Sequence, residues 1–131
     1  MTAAGPPTYA APSDRGSASL WVLAVGLLLV AAGIAGAAVG AARVAGRQAK
    51  VAADLGALAG AARTLDGAGP ACARAAMIVE ANGARLVSCT PDGLDLLVTA
   101  DVVVHPMPGL ARTASATSRA GPVRAGPGGP A

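Results

Sequence analysis

The chain has 131 residues, a formal charge of +3 and a 53% hydrophobic fraction, yet it contains no Phe, one Trp and one Tyr. That leaves room for one small domain beside any membrane segment, with a core drawn from Ala, Val, Leu and Ile that needs a staple, a membrane or a partner. Its basic residues are dispersed Arg without interleaved aromatics, which excludes a nucleic-acid platform, and a free-standing enzyme does not fit so thin a core.

Residues 1–15 carry Pro6, Pro7 and Pro12 among small residues and read as a disordered leader. Residues 16–42 follow, 27 in a row without a charge, bounded by Arg15 and Arg43. As a helix this stretch is about 40 Å long, enough to cross a hydrocarbon core of about 30 Å with some tilt. Ten of its residues are Leu, Ile or Val, which favour insertion by about 3 to 6 kcal/mol together. Trp21 lies near the first end, where an indole suits the headgroup level. The reading is a single-pass transmembrane helix with the lipid bilayer as its first partner.

Two processing signals compete. A cut between Gly16 and Ser17 leaves the helix on the mature chain. A signal-peptidase cut at Ala35-Gly36-Ala37 removes it and releases a small secreted binding module. Within the helix, Ala32, Gly36 and Gly40 are spaced by four and form a small-residue ridge on which a second helix can pack closely.

The helix is expected to continue as a soluble rod to about Asp66-Gly67. Val44, Val51, Leu55, Leu58, Ala62 and Leu65 fall on one face at heptad-like steps, with Arg43, Arg47, Lys50 and Asp54 on the adjoining one. Gly46, Gly56 and Gly60 each cost about 1 kcal/mol of helix propensity, so this segment needs neighbours. Gly67-Ala-Gly-Pro70 is a breaker cluster, and a second helix fits 71–82 with Ala75, Ile78 and Val79 on its apolar side and Gly83 as a left-handed stop.

Strands are expected at 84–90 and 94–104 around a Pro91-Asp92-Gly93 turn, with His105-Pro-Met-Pro108-Gly109 interrupting the second and a third at 112–119. The tail 121–131 holds four Gly and three Pro and reads as disordered. The expected architecture is α+β and membrane-anchored, with residues 43–120 forming the small domain and a β-hairpin or three-stranded sheet completing it.

Cys72 and Cys89 suit a disulfide that closes a loop of about 18 residues and contributes roughly 3 kcal/mol; the alternative is two unrelated buried thiols. Two Cys and one His are too few ligands for a metal site. A disulfide places the domain outside the cytoplasm. The positive-inside count opposes this, with Arg15 before the helix against Arg43, Arg47 and Lys50 after it. With so few charges that count is the lesser vote, and the C-terminal domain is read as extracytoplasmic. His105 reads as a surface loop histidine, Asp92 as a turn residue, and Asp95 and Asp101 as solvent-facing strand positions. No catalytic residues, cofactor or small-molecule substrate are expected.

Arg15-Gly16-Ser17-Ala18 opening onto a single hydrophobic helix resembles the amino-terminal pattern of TadE-like proteins, minor pilins or pseudopilins of tight-adherence (Flp-type) pilus and secretion systems. Gln48-Ala-Lys-Val-Ala-Ala-Asp-Leu-Gly-Ala-Leu-Ala-Gly60 and Ala81-Asn-Gly-Ala-Arg-Leu-Val-Ser-Cys89 are similar to the actinobacterial branch, and the likeness covers about residues 14–120. It implies a domain outside the cytoplasm, helix packing with other pilin-like or assembly-platform membrane proteins, and prepilin-type cleavage after Gly16. Many pilins carry a Glu at the fifth mature position, tied to head-to-tail assembly. Counted from Ser17 that position is Trp21, so the resemblance implies a membrane-anchored accessory subunit rather than a fibre-forming pilin.

Overall fold

The computed structural model describes residues 2–6 and 15–123, so most of the expected leader and tail lies outside the described residues. The chain is α+β: a long helix α1 (Arg15–Ala61), a 3-10 turn (Thr64–Asp66), a helix α2 (Ala68–Ala81), and strands β1 (Arg85–Asp92), β2 (Asp95–Met107) and β3 (Leu110–Ala120). It divides into two compact units, Met1–Gly36 and Ala37–Ala131.

The first unit holds the opening of α1. Its helix forms from an uninterrupted Leu-, Val- and Ala-rich run without Pro, and every side chain from Gly16 to Gly36 is exposed.

The second unit packs the remainder of α1 and α2 onto one face of an antiparallel sheet of order β1-β2-β3. α1 stops at Ala61, about five residues before the expected end. There the Thr64 hydroxyl donates to the Ala61 carbonyl at 2.8 Å and the chain tightens into 3-10 winding. α2 begins at Ala68, earlier than expected, because Pro70 sits in its first turn, where a missing N–H costs nothing. It ends on Gly83 at φ 73°, with Gly83 N–H donating to Glu80 and Ala84 N–H to Val79, the doubled closure that satisfies the last carbonyls.

The strands are longer than the sequence predicts. β1 takes in Pro91 and Asp92, and the turn moves to Gly93-Leu94, with Gly93 at φ 64°. An edge strand tolerates Pro91, whose ring removes a donor the sheet does not need. β2 runs through His105 and Pro106 instead of breaking there. β1 ends its pairing at Arg85↔Asp101, so beyond this point β2 has a free edge, and a register irregularity between Val104 and Met107 accommodates the proline.

The core departs most from expectation. Val44, Leu58 and Leu65, at 65%, 62% and 87% exposure, lie uncovered, with Val51 and Leu55 beside them. The buried face of α1 is instead Ala45, Ala49, Ala52, Ala53 and Ala57, which meet Ala71, Ala75 and Val79 of α2 and Leu96, Val98, Ala100 and Val102 of β2. Small residues win this face because they let the backbones approach. A Cβ at Gly56 would lie 2.5 Å from Val79 Cγ2, and one at Gly60 would lie 2.8 Å from the Ala71 carbonyl oxygen.

This packing sets the sign of two glycine substitutions. Gly60→Ala gains about 1 kcal/mol of helix propensity but meets α2 backbone that cannot yield, at a cost of about 1 to 3 kcal/mol or more. Gly46 has no atom within 4 Å of the new Cβ, so Gly46→Ala keeps the gain. Chemical unfolding of the detergent-solubilised chain should show the first variant destabilised and the second stabilised.

Candidate functional site

Among the described residues, no group of three or more His, Cys, Asp or Glu is placed to hold a metal ion. His105 stands exposed on β2, away from either cysteine. The functional candidates are surfaces.

The most exposed apolar surface is the opening of α1. Within Gly16–Ala61 the helix is long and apolar enough to cross a membrane, and it lies near the N-terminus. Gly16 and Ser17 lie in its first turn. Ala32 and Gly36 in the first unit and Gly40 in the second are each exposed, and a Cβ at either glycine would meet nothing within 4 Å.

A second apolar surface is the stripe of Val44, Val51, Leu55 and Leu58 on α1. It winds over the side of the helix opposite the alanine ridge, so the small-residue core leaves the larger side chains exposed. Val44 and Val51 share a shallow depression with Arg47, Gln48 and Asn82, where the Gln48 side-chain amide donates to the Asn82 carbonyl at 3.1 Å.

Three ties hold the elements beneath these surfaces. The Sγ atoms of Cys72 and Cys89 are bonded, with Cα atoms 5.8 Å apart, fastening α2 to β1. On the far side of α1, Lys50 Nζ donates to Asp54 Oδ1 at 2.9 Å and to Ser118 Oγ at 2.8 Å, while the Ser118 hydroxyl donates to Asp54. This clasp joins α1 to β3. The Ser118 hydroxyl, and then Lys50, hold the Asp54 carboxyl below its usual value. The third tie corrects the solvent-facing reading of Asp95, which is 8% exposed. Arg119 Nε donates to Asp95 at 2.9 Å and Nη2 to Asp92 at 2.7 Å, so one guanidinium bridges β3 to both ends of the first turn. Asp101 accepts from the Ser115 hydroxyl across the β2–β3 pair.

Lys50 and Asp54 share a helix face by sequence alone, whereas nothing in the local pattern brings Ser118 to them or Arg119 to Asp95. Ser118 and Arg119 both lie on β3 and are brought in only by strand register.

Comparison with protein-family models, with curated proteins and with solved structures finds no match.

Two outcomes follow from these ties. The disulfide closes a loop with a sequence separation of 17. Its removal in a Cys72→Ser/Cys89→Ser chain should therefore lower unfolding stability by about 3 kcal/mol on the chain-entropy account, read as a shift of the denaturant midpoint. The lowered Asp54 pKa adds stability that is fully present above the ordinary carboxylate value of 3.8 and is lost as pH falls through the lower folded value. In a thermal-unfolding series below that pH, Asp54→Asn should flatten the acid limb.

Proposed function

We propose that this protein is a non-catalytic, TadE-like component of a tight-adherence pilus or related secretion assembly. It is held in the cell membrane by the opening of α1, with the α+β unit outside the cytoplasm. The observation that carries the reading is that every side chain from Gly16 to Gly36 is exposed on a helix of uncharged, mostly apolar residues. Such a surface is stable in a bilayer and not in water. The Cys72–Cys89 bond supports an oxidising compartment for the second unit.

The assembly role is supported by two further features. The open Ala32, Gly36 and Gly40 ridge offers close helix contact within the membrane, where backbone approach replaces the hydrophobic drive. The uncovered Val44, Val51, Leu55 and Leu58 stripe offers a further apolar contact surface on the second unit. The Arg15-Gly16-Ser17-Ala18 motif supports prepilin-type cleavage at the Gly16–Ser17 bond, and Trp21 in place of the customary Glu supports an accessory place rather than a fibre.

A second reading, release of a small binding module at about Ala37, is favoured by one observation: the second compact unit begins at that residue. Helix α1 nevertheless runs unbroken through Ala35-Gly36-Ala37, presenting no extended segment there for a peptidase.

Intact mass and N-terminal sequencing of the chain from native membranes, without reductant, separate the readings. The expected result is a membrane-retained chain starting at Ser17, with its mass lowered by the hydrogens of one disulfide. A start near Ala38 in the culture supernatant would establish the released module. A clean deletion should impair surface pilus assembly or the linked secretion, and unimpaired assembly and secretion would end the TadE-like reading.

A further inference from the structure

β2 outlasts one of its partners. β1 pairs with it only from Asp92↔Asp95 to Arg85↔Asp101, whereas β2 and β3 stay paired as far as Met107↔Leu110. Residues 102–114 therefore form a two-stranded ribbon that extends past the three-stranded part of the sheet.

Helix α1 fixes where that ribbon goes. Leu96 lies against Gly60, Val98 lies near Gly56, and Val102 packs with Ala45 and Ala49. Further along, Val104, Met107 and Leu110 line an apolar groove of about 450 Å³ with Ala38, Val39 and Ala42. As β2 advances, α1 is followed backwards, and the two rises agree: about 30 Å for the twenty helix residues and about the same for the ten strand residues beside them. The ribbon thus ends beside residues that precede Arg43 and belong to the uncharged stretch 16–42.

We propose that the ribbon tip, Met107-Pro108-Gly109-Leu110, is a second membrane contact that sits in the headgroup region of an anionic bilayer. This rests on the membrane-anchored reading above. If the uncharged stretch occupies the bilayer, Ala38 and Ala42 lie at its edge, and whatever packs beside them shares their depth.

The chemistry of the tip selects this occupant. Met107 and Leu110 are exposed, and no Asp, Glu, Lys or Arg lies between Asp101 and Arg112. Apart from Asp101 at the base of the ribbon, the flanking charges are positive: Arg112 lines the groove, Arg43 and Arg47 follow Ala42 on α1, and neither 37–49 nor 102–114 contains an acidic residue. Basic side chains at the end of a membrane helix are drawn to anionic headgroups. Depth is limited from the other side. Beyond Asp101 the free edge of β2 carries backbone groups without a strand partner, which hydrocarbon cannot satisfy and hydrated headgroups can. Pro106 removes one such donor.

The test uses the full chain in vesicles of phosphatidylcholine with phosphatidylglycerol, with and without bromine on the lipid chains. Met107→Trp and Leu110→Trp are each placed in a Trp21→Phe background, and Leu94→Trp, in the turn at the opposite end of the sheet, is the control. Retention of the Cys72–Cys89 bond and of the circular dichroism spectrum checks folding in each variant. The expected result is blue-shifted emission and bromine quenching at 107 and 110 and neither at 94. Quenching should fall when phosphatidylglycerol is left out or when Arg43→Gln and Arg112→Gln are combined. Emission at 107 and 110 that matches position 94, while Trp21 of the unaltered chain is quenched, overturns the tip contact and leaves the anchor standing. Absence of quenching at Trp21 itself removes the anchor, and the tip contact with it.

Discussion

The second unit depends on backbone-close packing between α1 and its neighbours. A core without Phe, in which alanine supplies most of the buried positions, cannot reach a useful density at ordinary helix spacing. Gly56 and Gly60 are what permit the approach, since a methyl at either would meet α2 backbone or the Val79 side chain at less than contact distance. The helix propensity these residues forfeit is offset by dispersion contacts along the full length of the alanine ridge.

That choice of face has a consequence for the surface. One helix cannot bury both its alanine ridge and its aliphatic stripe against a single small sheet. Burying the ridge gives a thin, well-fitted core; leaving Val44, Val51, Leu55 and Leu58 outside gives α1 an apolar side available to other molecules. In a stand-alone soluble domain the larger side chains would be expected inside, because each buried Leu or Val contributes about 1.5 to 3 kcal/mol. The inversion supports the proposed role, in which the long helix makes the principal contacts.

The thin core also explains why covalent and polar ties are concentrated around it. The disulfide fastens α2 to β1, the Lys50, Asp54 and Ser118 clasp fastens α1 to β3, and Arg119 joins β3 to the first turn. Each links elements that hydrophobic burial alone would hold only loosely, and none of them reaches the ribbon of β2 and β3 beyond Asp101.

Local chemistry was enough to read much of this from the chain alone. An unbroken uncharged run dictates an apolar helix, Gly83 before a β-rich stretch dictates where α2 stops, and runs of Leu, Val and Thr separated by glycine turns dictate an antiparallel sheet. The pairing of Cys72 and Cys89 was a natural reading of two cysteines in a small domain. Other features were decided by tertiary structure. Which face of α1 is buried is settled by how near α2 and β2 can come, not by hydrophobic periodicity, so the heptad-like pattern pointed to the exposed side. The passage of β2 through Pro106 depends on the pairing with β1 reaching no further than Asp101. Asp95 became a buried, paired carboxylate only because strand register carried Arg119 to it across 24 residues. Periodicity sees neighbours along the chain; backbone approach and strand register are set by residues far apart in it.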